Sequence, residues 1–436
     1  MKLETFKSFL LVVLIGLSLL LTFGIWNYKT EYEQYDQQQL SREVDVGGSE
    51  VTKNQIIEPK SIIFHAGEQH LGYENPRENG NFFQEMQSWT FTDLTLTDGE
   101  SPEGYDVELT LPDALPIRII NDPLFSFTNQ VEITDNWSFD KIYLTLNPDN
   151  STITIQFLSV DERNQATAQL TNSIVYDQIT ELLASRQGLT EYVEFEGGAQ
   201  PIYVRSNTDN VTRRTIAVSH ISPDEFVREL FPDEQVVNPQ NTPNLNLGKY
   251  YNDGTREISI SPNERLMNFY NPNASDIGIT SIGALTLLQN SIDEVNSHKG
   301  WTGQLLSEIN SASNEITFRL HYAGLPVYSP NDYSIMKLQF QGQDLIRYNR
   351  GLLRLDNEIQ NDKSTSLPSG EEVIYHLKNE TNDINIENVE DIQLGYDLYY
   401  QDDRTVILEP EWFMEINGAW QQIQFEDVPN AQQEEA

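Results

Sequence analysis

The sequence predicts an α+β protein: a single N-terminal transmembrane helix, then an exported, multi-domain region of mixed α and antiparallel-β structure with two internally similar C-terminal domains. Three observations predict it. A run of 21 uncharged, mostly aliphatic residues, Ser8 to Tyr28, lies close to the N-terminus. Beyond it, short β-branched runs with alternating polarity are interspersed with amphipathic helical stretches. Finally, three short matches recur in the same order, at offsets of 145, 147 and 149 residues.

The apolar run comes first. At about 1.5 Å per residue it crosses the ~30 Å hydrocarbon core of a bilayer. Lys2 and Lys7 precede it, and Glu31, Glu33 and Asp36 follow, so the positive-inside rule keeps the N-terminus cytoplasmic and places everything after Lys29 outside. Trp26, Tyr28 and Tyr32 fall where an outer aromatic belt belongs. The competing reading, a cleaved signal peptide, is disfavoured because the run exceeds a typical signal core and only Thr22-Phe23-Gly24 resembles a cleavage site. Residues 1–28 are therefore expected to be cytoplasmic tip and anchor, in the cell membrane, and 29–55, rich in Gln, Glu and Ser, a polar stalk.

An N-terminal α+β domain is expected over 56–188. Ser61–Phe64, Val107–Leu111, Ile117–Ile120, Lys141–Leu146 and Thr152–Leu158 read as strands. Glu78–Ser88 and Asn172–Ser185 read as helices, the second capped by Gly188. A central domain, 189–330, and a C-terminal domain, 331–425, read as two copies of one unit. Phe195-Glu-Gly197 matches Phe340-Gln-Gly342, each in a strand-like run. The helix starts SPDEFVREL (222–230) and SGEEVIYHL (369–377) follow, each with a serine N-cap and acids in its first turn. Tyr250-Tyr-Asn-Asp253 and Tyr399-Tyr-Gln-Asp402 then open hairpins. Between the copies, Gly283–His298 carries Ile282, Leu285, Leu288, Ile292 and Val295 on one helical face, and Glu315–Tyr328 reads as one strand. Asn238–Leu247, Asn271–Asp276 and Gln360–Ser369 read as loops, and 426–436 as a disordered tail.

Composition narrows the function. The 436 residues carry 67 Asp and Glu against 27 Lys and Arg, a net charge of −40, which repels nucleic-acid phosphates. There is no cysteine, so disulfides, thiolate metal sites and cysteine nucleophiles are excluded. No Walker loop, G-x-S-x-G elbow, S-x-x-K pair or dinucleotide fingerprint occurs. His65 and His70 flank Glu68, but on a helix they would lie about 140° apart, and Gly67 argues for a turn. Asn252-Asp-Gly254 lacks the ligand rhythm of a calcium loop and reads as a hairpin turn. The expectation is no enzyme, no cofactor and no metal site, although acids are plentiful enough that a wall hydrolase stays in view.

The opening MKLETFKSFLLVVLIGLSLLLTFGIWNYKTEY, and the blocks AGLPVYSPNDYSIMKLQFQGQDLIRYNRGLLRLD (323–356) and YYQDDRTVILEPEWFMEINGAW (399–420), are similar to the YycH family. The resemblance implies an auxiliary regulator of the WalK/WalR two-component system, also called YycG/YycF, which controls cell-wall metabolism. It implies a membrane complex with the sensor kinase and the companion YycI, partly through transmembrane helices, and brings no catalytic residues with it. Within the span, Gly16, Ser18, Thr22 and Gly24 form a small-residue face suited to helix packing and are the candidate partner contacts. The alternative reading is an anchored extracellular ligand-binding module or cell-wall-associated protein.

Overall fold

The computed structural model describes residues 44–425, apart from 101, 103, 123, 130, 199, 232–237, 242–247, 273–280, 362–366 and 380–383, together with Leu14 and Ser18. It divides into two units, Met1–Val44 and Asp45–Ala436. In the first, Leu14 and Ser18 are helical and exposed, and the rest of the expected anchor lies outside the described residues. Among the described residues no helix is long and apolar enough to cross a membrane. The expected tail, 426–436, also lies outside them.

The second unit is built on two large sheets. The first has ten strands among the described residues. They are β1 (Ser61–Ala66), β2 (Gln69–Tyr73), β3 (Thr90–Asp98), β4 (Val107–Pro116), β5 (Ser126–Phe127), β6 (Ser138–Asn147), β7 (Thr152–Leu158), β8 (Asn164–Leu170), β9 (Leu189–Phe195) and β10 (Ile202–Arg205). Their order is β10-β9-β2-β1-β4-β6-β7-β8-β3-β5, antiparallel except at β3–β5. Helices α1 (Lys53–Ile56), α2 (Arg77–Gln87) and α3 (Ser173–Ser185) accompany it. Alternation sets the register: Ile142, Leu144 and Leu146 of β6 face Phe157, Ile155 and Ile153 of β7. At the start of α3 the Asn172 side chain accepts from the Ile174 and Val175 N–H groups, satisfying donors the helix cannot.

Two local expectations change. Ile117–Ile120 is a 3₁₀ turn, Ile117–Asn121, rather than a strand. Its isoleucines do not alternate with polar residues, and Ile117, Ile119 and Ile120 are all fully buried where the chain turns after β4. Helix α3 stops at Arg186, in left-handed conformation at φ 57°, two residues before Gly188.

The second sheet has fourteen strands among the described residues. In chain order they are β11 (Arg214–His220), β12 (Asn238–Asn241), β13 (Lys249–Asn252), β14 (Glu257–Ile260), β15 (Leu266–Tyr270), β16 (Gln304–Asn310), β17 (Glu315–Tyr322), β18 (Leu325–Tyr328), β19 (Ile335–Gln341), β20 (Asp344–Gly351), β21 (Leu353–Asn361), β22 (Val389–Asp402), β23 (Thr405–Ile416) and β24 (Ala419–Gln422). The order is β12-β13-β14-β15-β20-β19-β17-β18-β22-β23-β11-β21, with β16 beside β17 and β24 beside β23. Helices α4 (Pro223–Leu230), α5 (Ala284–Ser297) and α6 (Gly370–Asn379) complete it. The expected single strand 315–328 is the hairpin β17–β18, turned by Ala323 and Gly324, both at positive φ. A Cβ on Gly324 would lie 2.4 Å from the backbone of Pro76 and Arg77, so this turn packs directly against the start of α2.

The expected stalk is, from Asp45 onward, part of the folded body. Val46 and Gly48 donate to the carbonyls of His298 and Lys299, Ser49 bridges Trp301, and Ile56 and Ile57 are buried. Apolar residues interrupt the polar run here, and they have a surface to cover.

Strands β11 and β21, which lead into α4 and α6, pair antiparallel with each other. Each helix then covers a hairpin distant in sequence. Phe226 of α4 meets Tyr348 of β20, while Val373 and Leu377 of α6 join Phe195, Ile202 and Val204 of β9–β10 in one core. The two helices are capped differently. At α6 the Ser369 N–H donates to Glu372 Oε2 at 2.7 Å and the Glu372 N–H to Ser369 Oγ at 3.3 Å, a reciprocal capping box. Ser222, before α4, makes no side-chain cap bond. Ser369→Ala is therefore expected to lower the unfolding free energy by about 1 kcal/mol, and Ser222→Ala to leave it almost unchanged, as read by urea unfolding.

Candidate functional site

Of the four small residues expected to contact a partner, only Ser18 is described, helical and exposed; Gly16, Thr22 and Gly24 lie outside the described residues.

The β1–β2 hairpin supplies the turn that Gly67 argues for. Its turn through Gly67, at φ 68°, sets His65 directly opposite His70, with their Nδ1 atoms 2.9 Å apart. Burial, followed by the neighbouring His65, lowers the His70 pKa. Beneath them lies Glu108, 2% exposed, with Lys141 Nζ 2.7 Å from one oxygen and the Tyr105 hydroxyl donating to the other at 3.0 Å. Burial pushes its carboxyl up, but His65, Lys141 and Tyr105 together outweigh burial and hold it at about 2. No group of three or more His, Asp or Glu among the described residues is placed to hold a metal ion.

The principal cavity is a cleft of about 700 Å³ between the two sheets. Its walls come from the segment before β1, the start of α2 and the end of β4 on one side, and from β16–β19 and β22–β24 on the other. A second hollow of about 500 Å³ shares Lys60, Asn79 and Gln393 with it. Two polar contacts tie the walls together. Lys60 Nζ sits 2.7 Å from Asp391 Oδ2, and Asp113 of β4 accepts the Ile309 N–H of β16 at 2.5 Å. Burial alone would lower the Lys60 pKa, yet Asp391, Glu415 and Asp140 raise it, so this lysine stays charged.

Aromatic rings line one wall. Tyr328 stacks on Phe413 with centroids 3.9 Å apart, and Trp420 lies 5.6 Å from Tyr328. Gln393 Nε2 donates to the Tyr328 hydroxyl at 2.6 Å and so fixes the ring. The Arg319 guanidinium lies over that ring, 4.3 Å from its centroid. Burial lowers the Arg319 pKa. Around it, burial raises the carboxyls of Glu58, Asp113 and Glu308, and pushes Glu415 up to about 7, with Asp391, Glu390 and Glu308 adding to that and Lys60 opposing it. Such a cleft combines a buried cation, an aromatic face and carboxyls raised by burial, which is binding chemistry.

Sequence reasoning misses this cleft because its walls come from elements far apart in the chain. One local signal is present. Arg319 interrupts the apolar strand Ile316–Leu320 between Phe318 and Leu320, where all five residues are buried.

Against known families, residues 4–188 match the N-terminal domain of YycH protein and residues 199–430 its C-terminal domain. The two-component system WalR/WalK regulatory protein YycH of Bacillus subtilis (strain 168) is 23% identical over 445 residues, covering 96% of each chain. The crystal structure of YycH from Bacillus subtilis superposes with a TM-score of 0.69 at 17% identity, over 88% of this chain and 99% of that one.

Proposed function

This chain belongs to the YycH family, and from that premise we propose that it is a membrane-anchored, non-enzymatic regulator of a WalK-type sensor histidine kinase. The observation that carries the proposal is the match to both halves of a family whose Bacillus relative is a WalR/WalK regulatory protein. It acts in a complex with the kinase and the companion YycI, through the transmembrane helix and through extracellular contacts. The N-terminus is cytoplasmic, as the Lys2/Lys7 and Glu31/Glu33/Asp36 asymmetry favours, and the bulk of the chain is outside. The central and C-terminal segments, 189–330 and 331–425, are copies of one unit whose strands from β11 onward share a sheet, β11 of one pairing antiparallel with β21 of the other.

The partner face on the helix is Gly16, Ser18, Thr22 and Gly24. Lipid tails are as apolar as leucine, so helices associate in a bilayer by close packing and polar side chains. One interhelical hydrogen bond contributes only about 0.6 kcal/mol, so single substitutions are expected to be nearly silent. Combining Gly16→Leu, Ser18→Leu and Thr22→Leu is expected to reduce kinase co-purification from membranes severalfold while insertion stays intact. Leu17→Ile with Leu20→Ile is the control and should change nothing. Normal co-purification and regulation by the triple variant would place the contact outside the membrane. The cleft supports a second reading, in which the anchored body is also a ligand-binding module.

A further inference from the structure

We propose that the cleft between the two sheets binds a short peptide with free termini, its C-terminal carboxylate docked on Arg319 and its ammonium group facing Glu308 and Glu415. The inference begins with Arg319, which is 9% exposed. A buried guanidinium is costly unless an anion and several acceptors satisfy it. Arg319 has no close anion among the described residues: Nη1 reaches the Val327 carbonyl at 3.4 Å, the Tyr328 ring lies beneath, and Asp332, Glu415 and Glu308 act on it only beyond ion-pair distance. Of its five N–H donors, most are left for whatever enters the cleft, in a fork that fits a carboxylate.

The surroundings select the rest of the ligand. Glu58, Asp113, Glu308, Asp397 and Glu415 line the same cleft. Its other cations are already engaged, Lys60 by Asp391 and Lys337 at 3.8 Å from Glu315. A dianion such as phosphate would meet net repulsion there, whereas a carboxylate covalently tied to an ammonium satisfies both signs. Burial and mutual repulsion hold the Glu415 and Glu308 carboxyls above the usual range, and an arriving ammonium would offset both. Tyr328, Phe413 and Trp420 supply apolar area for the peptide between its charged ends. At about 700 Å³ the space suits a few residues.

The test uses the full chain in detergent and reads binding directly, so its result does not depend on kinase regulation. Tri-alanine, tri-alanine amide, N-acetyl-tri-alanine and inorganic phosphate are titrated by isothermal calorimetry, with tryptophan fluorescence as a second readout. Tri-alanine should bind saturably, the amide and the acetylated peptide each at least tenfold more weakly, and phosphate not detectably. Arg319→Gln should cost tri-alanine at least tenfold, and Glu415→Gln should weaken tri-alanine but not its acetylated form. Because the peptide comparison is made on the unaltered chain, it stands even if a variant misfolds. Absent tri-alanine binding, equal affinity for the three peptides, or competition by phosphate at equal concentration would each overturn the proposal.

Discussion

Replacing Trp412 by alanine is expected to lower the unfolding free energy by about 3–5 kcal/mol. The side chain is 1% exposed and sits where the two sheets share a core. Phe195, Ile202 and Val204 reach it from β9 and β10, Val389, Ile392, Leu394 and Met414 from β22 and β23, and Val373 and Leu377 from α6. Two strand pairs and a helix contribute to the cluster that holds this ring, so the neighbours cannot collapse into the space it leaves, and the cavity term adds to the lost transfer energy. Its indole N–H also donates to the Pro368 carbonyl at 2.9 Å, just ahead of the α6 cap. Trp412→Phe keeps most of the packing and loses that bond, which should add about 1 kcal/mol to the cost of the smaller ring. Urea unfolding followed by both circular dichroism and fluorescence checks this. A loss below about 1 kcal/mol for the alanine variant, small against the usual range, would show that this cluster does not hold the sheets together.

What can be read from the sequence is local. Thr152–Leu158 is a strand at the expected bounds because Ile153, Ile155 and Phe157 alternate with smaller polar residues, and Asn172 announces α3 by capping it. The misreadings share a cause as well. In 315–328 the turn residues Ala323 and Gly324 lie between apolar runs, so a hairpin reads as one strand. The turn at Gly67 is legible, but not that it sets His65 directly opposite His70. The cleft depends on long-range pairing: Arg319 meets Tyr328 across one turn, but Phe413 and Trp420 arrive from β23 and β24. No spacing rule connects those positions. The proposed small-residue face, Gly16, Ser18, Thr22 and Gly24, is legible only as a sequence pattern.

Acidification is expected to act through His298, and a His298→Gln variant makes that visible. His298 is fully buried, with Nε2 3.1 Å from the Tyr348 hydroxyl, which also accepts from Arg350 Nη1 at 2.9 Å. Burial, then the Arg350 charge, hold its pKa down at about 3, against 6.5 when free. Between those values the unfolded chain binds a proton that the folded one refuses. Stability is thus fully present above pH 6.5 and falls with pH by about 1.4 kcal/mol per unit, to a total on the order of 5 kcal/mol. Glu294, one turn earlier on α5, has the opposite sign. Burial, then Glu229, push its carboxyl up to about 7 from 4.5, so the folded chain gains stability as pH falls through that window. The two effects oppose each other between pH 6.5 and 4.5, where Glu415, also pushed up to about 7, adds to the gain, so the contribution of each group is read as a difference from the native chain. Below 4.5 Glu108 adds a loss of its own. Relative to the native chain, Glu294→Gln should lose stability progressively as pH falls from 7 to 4.5, and His298→Gln should gain it from pH 6.5 downward. Urea unfolding at half-unit steps from pH 7.5 to 4 measures all three chains. A flat difference between His298→Gln and the native chain would mean that His298 takes up its proton in the folded state, and that Arg350 and the surrounding rings do not exclude the charge.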